Sequence, residues 1–472
     1  MAQQSIPGEL RPFYFVLVVW GRRYRDYFLN YCLPSLLSPE NIPSLKGRRE
    51  MRYLIATTKE DWDAITSTVN FRELQRHAAV AFVQLPPCPP DLPFWRQNIV
   101  GHKLCCDIIF QERGYRIFTS PDAVFSDGAV RRMHELAARG VQAILKLTVP
   151  IVEENSFFNS LSEMQLLPPT AARLSGTPLV LSGRQMTSAA LRSMHQMAVV
   201  NEWDAPHFCG YAAMPWWRVA GEDGIVACGL VWDILLMDYA SIKTHDASLL
   251  DDRGWDGDYI MRTVGDLETI YLVRDSDEIN AIGWSSNPKP PLRRLRGGEL
   301  RKGLSFRTSY YNASFNSLHR RLLFFPTRMH SRPINAKWDA VEDEALRTLL
   351  TWVEPPASLG KLSTRLVPKI NNYPEIDARV ASCELPAWRR STIVWAMCRY
   401  LLMPIMTFLA RAESVRAQLY ALLSKHRVLI RLIGLGVCGD ESAVRWWCWR
   451  LRKLIANLRR LPFNEPRPEL PK

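Results

Sequence analysis

The sequence predicts an α/β fold: a mostly parallel, Rossmann-like sheet with flanking helices, followed by a basic helical region. Three observations lead there. Five short apolar or β-branched runs alternate with helix-patterned segments over the first 150 residues. The first run is nearly continuous in apolar character, as strands buried on both faces are. And 472 residues with 47% hydrophobic content supply a core large enough for two or three domains.

The elements follow in order. Phe13 to Val19 is the first strand, closed by Trp20-Gly21, and a helical segment carrying Tyr24, Phe28 and Leu29 comes next. MRYLIATT (51–58) is the second strand, and KEDWDAITS (59–67) opens a helix with acids in its first turn, where the helix dipole favours them. AVAFVQL (79–85) is the third strand, stopped by PPCPPDLP. A helix over 97–112, a fourth strand YRIFTS (115–120), a helix from Asp127 to Arg139 and a fifth strand QAILKLTV (142–149) complete the alternation. Beyond 150 the pattern loosens. Residues 183–200 read as an amphipathic helix, and GIVACGLVWDILLMDY (224–239) as apolar strands beneath a site. The Pro, Arg and Gly-rich stretch NPKPPLRRLRGGELRKG (287–303) marks a boundary. The expected organisation is a body over 1–286, a linker and connector over 287–340, and a basic helical region over 341–472.

Charge divides the chain in the same way. Residues 289–472 hold 33 Lys and Arg against 14 Asp and Glu, and the remainder 27 against 33. A basic tail on a mildly acidic body implies an anionic partner for the tail. The ten cysteines form no CxxC pair and no regular framework, which fits reduced cysteines in a cytoplasmic protein. The polar N-terminus does not read as a signal peptide.

In parallel α/β sheets ligands bind beyond the carboxyl ends of the strands. Trp20-Gly21, Thr57-Thr58 and Ser120-Pro121-Asp122 all stand at such ends. In the stretch TSPDAVFSDGAV, Asp122 and Asp127 offer hard oxygen donors for Mg²⁺ or Mn²⁺ on a diphosphate. They fit equally a turn followed by a helix cap. A second set of acids crowds later. Asp256 and Asp258 flank Gly257, and Asp275 and Asp277 flank Ser276, with His245 as a further ligand or base. If the strand through TIYLVR continued, alternation would point Asp275 and Asp277 to one face. No Gly-x-Gly-x-x-Gly, P-loop, Gly-x-Ser-x-Gly, HExxH or paired-Cys zinc signature is present, which argues against dinucleotide enzymes, NTPases and zinc hydrolases.

The tail carries two apolar segments. Residues 391–410 have the length of a bilayer span, but Arg399 and Pro404 interrupt them, so a buried or interfacial helix is expected. Residues 441–461 place Val444, Trp447, Leu451, Leu454 and Leu458 on one face and arginines on another, the pattern of a helix lying in a head-group layer. No zinc finger, RRM or KH signature points to nucleic acid.

VVWG with its following aromatic helix, then LIATTKED, then TSPDAVFSDGAV and a later DSDE (Asp275 to Glu278), together resemble the N-terminal half of a GT-A-type nucleotide-sugar glycosyltransferase. More narrowly they resemble uncharacterised bacterial glycosyltransferase-like proteins. The resemblance covers roughly residues 12 to 285. It implies a nucleotide-sugar donor near Trp20, Gly21 and Thr57, and either a divalent cation, Mn²⁺ or Mg²⁺, held by Asp122 with an acid from the later cluster, or a site that works without metal; Asp127 and His245 are the further candidate ligands. It also implies a general base among Asp256, Asp258, Asp275 and Asp277. The acceptor would be an envelope glycan or polysaccharide, possibly lipid-linked, with the basic tail at the inner face of a membrane. Ser120-Pro121-Asp122 stands where that family has Asp-x-Asp, so only the second acid matches. A non-catalytic binding or assembly module on the same fold is the alternative.

Overall fold

The computed structural model describes residues 11–45, 51–87, 94–148, 152–208, 214–242, 245, 259–260, 263–264, 267–287, 298–312, 317–353 and 374–383. Its centre is a seven-stranded sheet. Five of its strands are those read from the sequence: β1 (Phe13–Val18), β2 (Met51–Thr57), β3 (Ala79–Gln84), β4 (Tyr115–Phe118) and β6 (Ala143–Leu147). The other two are β10 (Trp232–Asp238) and β11 (Ile270–Val273).

The order across the sheet is β3-β2-β1-β4-β10-β6-β11. Every pairing is parallel except those of β10, which runs antiparallel between β4 and β6. Counted along the chain, the order is 3-2-1-4-6-5-7. It departs from the 3-2-1-4-5-6 dinucleotide order by that inserted reversed strand. The chain leaves β1 toward β2 on one side, while β4 lies on the other. The strand order therefore reverses between β1 and β4, the place where doubly wound sheets open a crevice.

Alternation along β1 explains why it reads as continuously apolar. Phe13, Phe15 and Leu17 enter the core on one face, and Tyr14, Val16 and Val18 the core on the other. Helix Phe94–Glu112 covers the second face. A continuous helical run from Arg22 to Leu36 and helix Ala129–Ala138 cover the first, with one π turn over Phe28–Cys32 inside the run.

Above the carboxyl edge sits a three-stranded sheet of β5 (Ala123–Phe125), β12 (Ala281–Ser285) and β7 (Val152–Glu153), with β12 in the middle. Helices Glu154–Glu163 and Gly183–Arg192 pack on it through Phe157, Phe158, Leu161, Met186 and Trp284. The helix expected over 183–200 breaks near Ser193 and resumes at Gln196–Val199.

A third sheet, of β8 (Trp216–Arg218), β9 (Gly224–Ala227) and β13 (Thr327–His330), joins residues from before and after position 287. There β13 pairs antiparallel with β9. Helices Gly298–Asn312 and Ala336–Trp352 bury Phe306, Trp338 and Leu346 against Trp217 and Val226. The apolar segments 391–410 and 441–461 lie outside the described residues. Among the described residues, no helix is long and apolar enough to cross a membrane.

Candidate functional site at the carboxyl edge of the sheet

The turn after β1 is built around one carboxylate. Gly21 takes φ 78° and ψ 147°, a backbone region reached almost only by glycine. Its amide donates to Asp61 Oδ2 at 2.7 Å. The same carboxylate accepts from Thr58 Oγ1 (3.0 Å) and from Arg25 (2.9 Å). Thr58 in turn caps helix Lys59–Thr66. The β1 and β2 ends are thereby locked to each other. Trp20 packs half-buried on the core, and Thr57 is fully buried with its hydroxyl unpartnered. Trp20, Gly21 and Thr57 thus share the carboxyl edge.

Asp122 follows the end of β4. Ser120 Oγ donates to its Oδ1, and its backbone carbonyl accepts from the amide of Trp284 on β12. Burial raises the carboxyl's pKa against the pull of the Ser120 hydrogen bond and of the Arg23 charge. Asp122 keeps part of its surface accessible while protein closes around it, the position of a group lining a hollow. Helix Arg22–Tyr27 and helix Glu154–Glu163 approach from the side. Tyr27 donates to Glu154 Oε2 at 2.6 Å, and Arg23 donates to Tyr27 (2.9 Å) and to Glu154 (3.3 Å). Burial, then the charge of Asp122, pushes the Tyr24 phenol up. Tyr27, Tyr31, Phe158 and Trp284 stack edge-on or face-to-face behind them.

The opposite bank is formed by β10 and β6. Pairing of β10 with β4 runs from Asp238↔Tyr115 only to Leu236↔Ile117, and the β10–β6 register shifts between Ile234 and Leu236. Such a bulge bends its strand and ends local pairing. Past it β4 and β10 no longer pair, which leaves a gap in the hydrogen-bonded sheet at its carboxyl edge. Asp233 on β10 stands across from Lys146 on β6. Asp233 is exposed at that end of β10. Burial raises the Asp233 pKa and lowers that of Lys146, each partly offset by the other's charge.

The other expected site residues fall elsewhere. Asp127 does not cap the following helix, whose N-cap is Gly128. Its carboxylate accepts from the Glu40 amide at 2.9 Å. His245 donates to Asp107 at 2.9 Å and stacks on Phe110 and Tyr239. Tyr239 follows the carboxyl end of the reversed β10 and bonds to Gly114, which precedes β4, so His245 lies at the amino edge. That is roughly a strand length, ~15–20 Å, from Asp122. The expected ligand set Asp122, Asp127 and His245 is therefore not brought together. Among the described residues no three His, Cys, Asp or Glu side chains gather as a metal-binding set, so no step is derived through a metal. Asp256 and Asp258 lie outside the described residues.

Asp275 and Asp277 do stand past the carboxyl end of β11, but that strand stops at Val273 and a turn follows. Asp277's amide donates to Asp275 Oδ1, so the two carboxylates do not share a strand face. Asp275 pairs with His330 (2.7 Å) and Asp277 with Arg184 (2.8 Å). The residues missed in the sequence are Lys146, Asp233, Arg23, Tyr27, Asp61 and Glu154. Two had a signal: Lys146 and Asp233 are lone charges inside apolar strands, in QAILKLTV and VWDILLM.

No protein-family model and no curated protein sequence matches the chain. Among solved structures it is similar to mouse xyloside xylosyltransferase 1 in its apo form, at 11% identity and a TM-score of 0.24, over 32% of this chain and 58% of that one. A putative glucose-1-phosphate thymidylyltransferase from Bacillus anthracis aligns at 12% identity and a TM-score of 0.21, over 30% of this chain and 59% of that one. S. aureus TarS aligns at 10% and 0.21, over 38% and 34% respectively. The chain spans less than two thirds of each of these proteins.

Proposed function

We propose that this chain is a nucleotide-sugar-dependent glycosyltransferase of GT-A type. One observation carries the reading: two carboxylates, Asp122 after β4 and Asp233 on β10, stand at the carboxyl edge on the two sides of the place where β4 and β10 stop pairing, beside the reversal of strand order between β1 and β4. Crevices at that position are where doubly wound sheets bind nucleotides. The donor's nucleotide lies along the β1 and β2 ends, near Trp20, Gly21 and Thr57, with its diphosphate toward Asp122. The acceptor, a glycan or a lipid-linked sugar, enters beside Tyr24, Tyr27 and Glu154. The basic C-terminal region holds the enzyme at an anionic membrane surface, where such an acceptor is presented.

Ser120 stands where a metal-binding Asp-x-Asp would have its first acid, and that single fact favours the second reading, a non-catalytic binding or assembly module. A thermal-shift series decides between them. UDP-, GDP-, CMP- and dTDP-sugars are added with and without Mn²⁺ to the protein and to Asp122→Ala. A ligand that binds only the folded state raises Tm by mass action. A rise with one nucleotide, reduced in the variant and accompanied by donor turnover with an added acceptor, supports the transferase. No rise with any nucleotide removes the transferase and favours the module.

A further inference from the structure

Lys146 has an unusual setting. It is the one charged residue of β6, and its ammonium donates to the carbonyl of Leu147, the last residue of that strand, at 3.3 Å. The side chain therefore extends toward the carboxyl edge, into the region where the sheet opens. It is 7% exposed. Asp233 faces it across the strand pair, but the two do not close to a direct ion pair. A cation this deeply buried is costly without a counter-charge at contact distance. The charged side chains just past β11 are engaged with other partners. Arg274 binds Glu342 and Glu375, Asp275 binds His330, and Asp277 binds Arg184.

We propose that Lys146 is the anion-binding cation of this opening, taking an anionic oxygen group of the donor, with Asp233 as the opposing carboxylate that is discharged as the anion enters. This rests on the nucleotide-sugar reading and specifies its chemistry. Two parts of a donor offer such a group, the diphosphate and the carboxylate of an acidic sugar. With the diphosphate in place, Lys146 stabilises negative charge on the leaving nucleoside diphosphate as the sugar–oxygen bond breaks. The anion and Asp233 repel each other, so binding draws a proton onto Asp233.

The test is titration calorimetry of the full chain with inorganic pyrophosphate, UDP, UDP-glucose and free glucuronate, on wild type, Lys146→Met and Asp233→Asn. Lys146→Met is expected to weaken binding about 10- to 100-fold. Asp233→Asn is expected to tighten it roughly three- to tenfold, an opposite sign that a merely structural role would not produce. Wild type at pH 6.5, measured in two buffers of different ionisation heat, takes up more protons on binding than Asp233→Asn does. That comparison holds even if Lys146→Met fails to fold.

Pyrophosphate and UDP dependence on Lys146 assigns the diphosphate, and glucuronate dependence alone assigns an acidic sugar. Wild-type binding with Lys146→Met folded and equally tight, or with no extra proton uptake, overturns the inference and leaves the transferase reading intact. Lys146-dependent pyrophosphate binding with no affinity for UDP or UDP-glucose supports the anion site and removes uridine-nucleotide use.

Discussion

Asp61 holds Gly21: the carboxylate on the second helix accepts the amide of the turn after the first strand at 2.7 Å, and also takes Thr58 and Arg25. Two strand ends that would bracket a nucleotide are thus tied by one side chain, itself 5% exposed. Asp61→Asn keeps the size but cannot accept all three donors. We expect a loss of about 2–3 kcal/mol, the cost of stranding buried partners of a charged group. We also expect weaker nucleotide binding than global stability alone explains. Urea denaturation with a parallel nucleotide titration checks both. Unchanged affinity in a destabilised variant would mean that the turn does not contact the ligand.

Two glycines are predicted to fail for different reasons. At Gly21 an added Cβ meets nothing within 4 Å, so Gly21→Ala costs only its backbone strain, about 1–3 kcal/mol. At Gly183 a Cβ would lie 2.3 Å from the Ser276 carbonyl oxygen and 2.9 Å from Asp277 Cα. Gly183→Ala must therefore push helix Gly183–Arg192 off the turn after β11, which overrides the helix-propensity gain of alanine, about 1 kcal/mol. The measurement is the Arg184–Asp277 coupling by a double-mutant cycle. It should persist in Gly21→Ala and vanish in Gly183→Ala.

The strands of the first 150 residues were legible because each is a local apolar run between breakers. The site was less so. That Ser120-Pro121-Asp122 stands at a strand end follows from the sequence, and the structure places it there. That Lys146 faces Asp233 does not follow, because it depends on β10 inserting backwards between β4 and β6 from about 90 residues away. His245 looked like a ligand for the same reason in reverse. Its distance from Asp122 is set by the direction of β10, which local pattern does not encode. Asp275 and Asp277 were placed on one face by extending a strand past its real end at Val273.

Glu342 stands at the start of the region expected to be basic and helical, on helix Ala336–Trp352. It is fully buried and accepts from Arg328 (2.7 and 3.0 Å) and Arg379. Burial raises its pKa, but the two hydrogen-bonded arginines outweigh that and hold it low. Glu342→Ala removes the carboxylate the two arginines share, while Arg328 keeps Asp339 and Arg379 keeps Asp343, so the expected loss is about 1–3 kcal/mol. Glu342→Gln should lose less. If limited proteolysis of Glu342→Ala released an intact fragment ending near residue 290, the C-terminal segment would be anchored mainly by this contact. Global collapse instead would mean that it is part of one cooperative unit.

The His330–Asp275 pair makes a prediction about pH. His330 Nδ1 lies 2.6 Å from the Arg332 carbonyl and Nε2 lies 2.7 Å from Asp275, and both neighbours are acceptors. Two acceptors require two N–H groups, the imidazolium. Burial pushes the His330 pKa down, yet the hydrogen bond and charge of Asp275 prevail and leave it above 6.5. Asp275 moves the other way, below 3.8, because His330 outweighs its own burial. The histidine's contribution is fully present below about pH 6.5 and is lost as pH rises through its raised pKa. That of Asp275 is present above about pH 4 and is lost as pH falls through its lowered one. Between about pH 4 and 6.5 the pair is intact, and on the order of 1 kcal/mol should disappear by pH 8.5. Denaturation midpoints at pH 5.5 and 8.5 test this, with His330→Gln as the reference. The variant should lie below wild type at pH 5.5 and approach it at pH 8.5. A gap that stays constant across the range would mean that His330 is held by packing against Trp338 rather than by its charge.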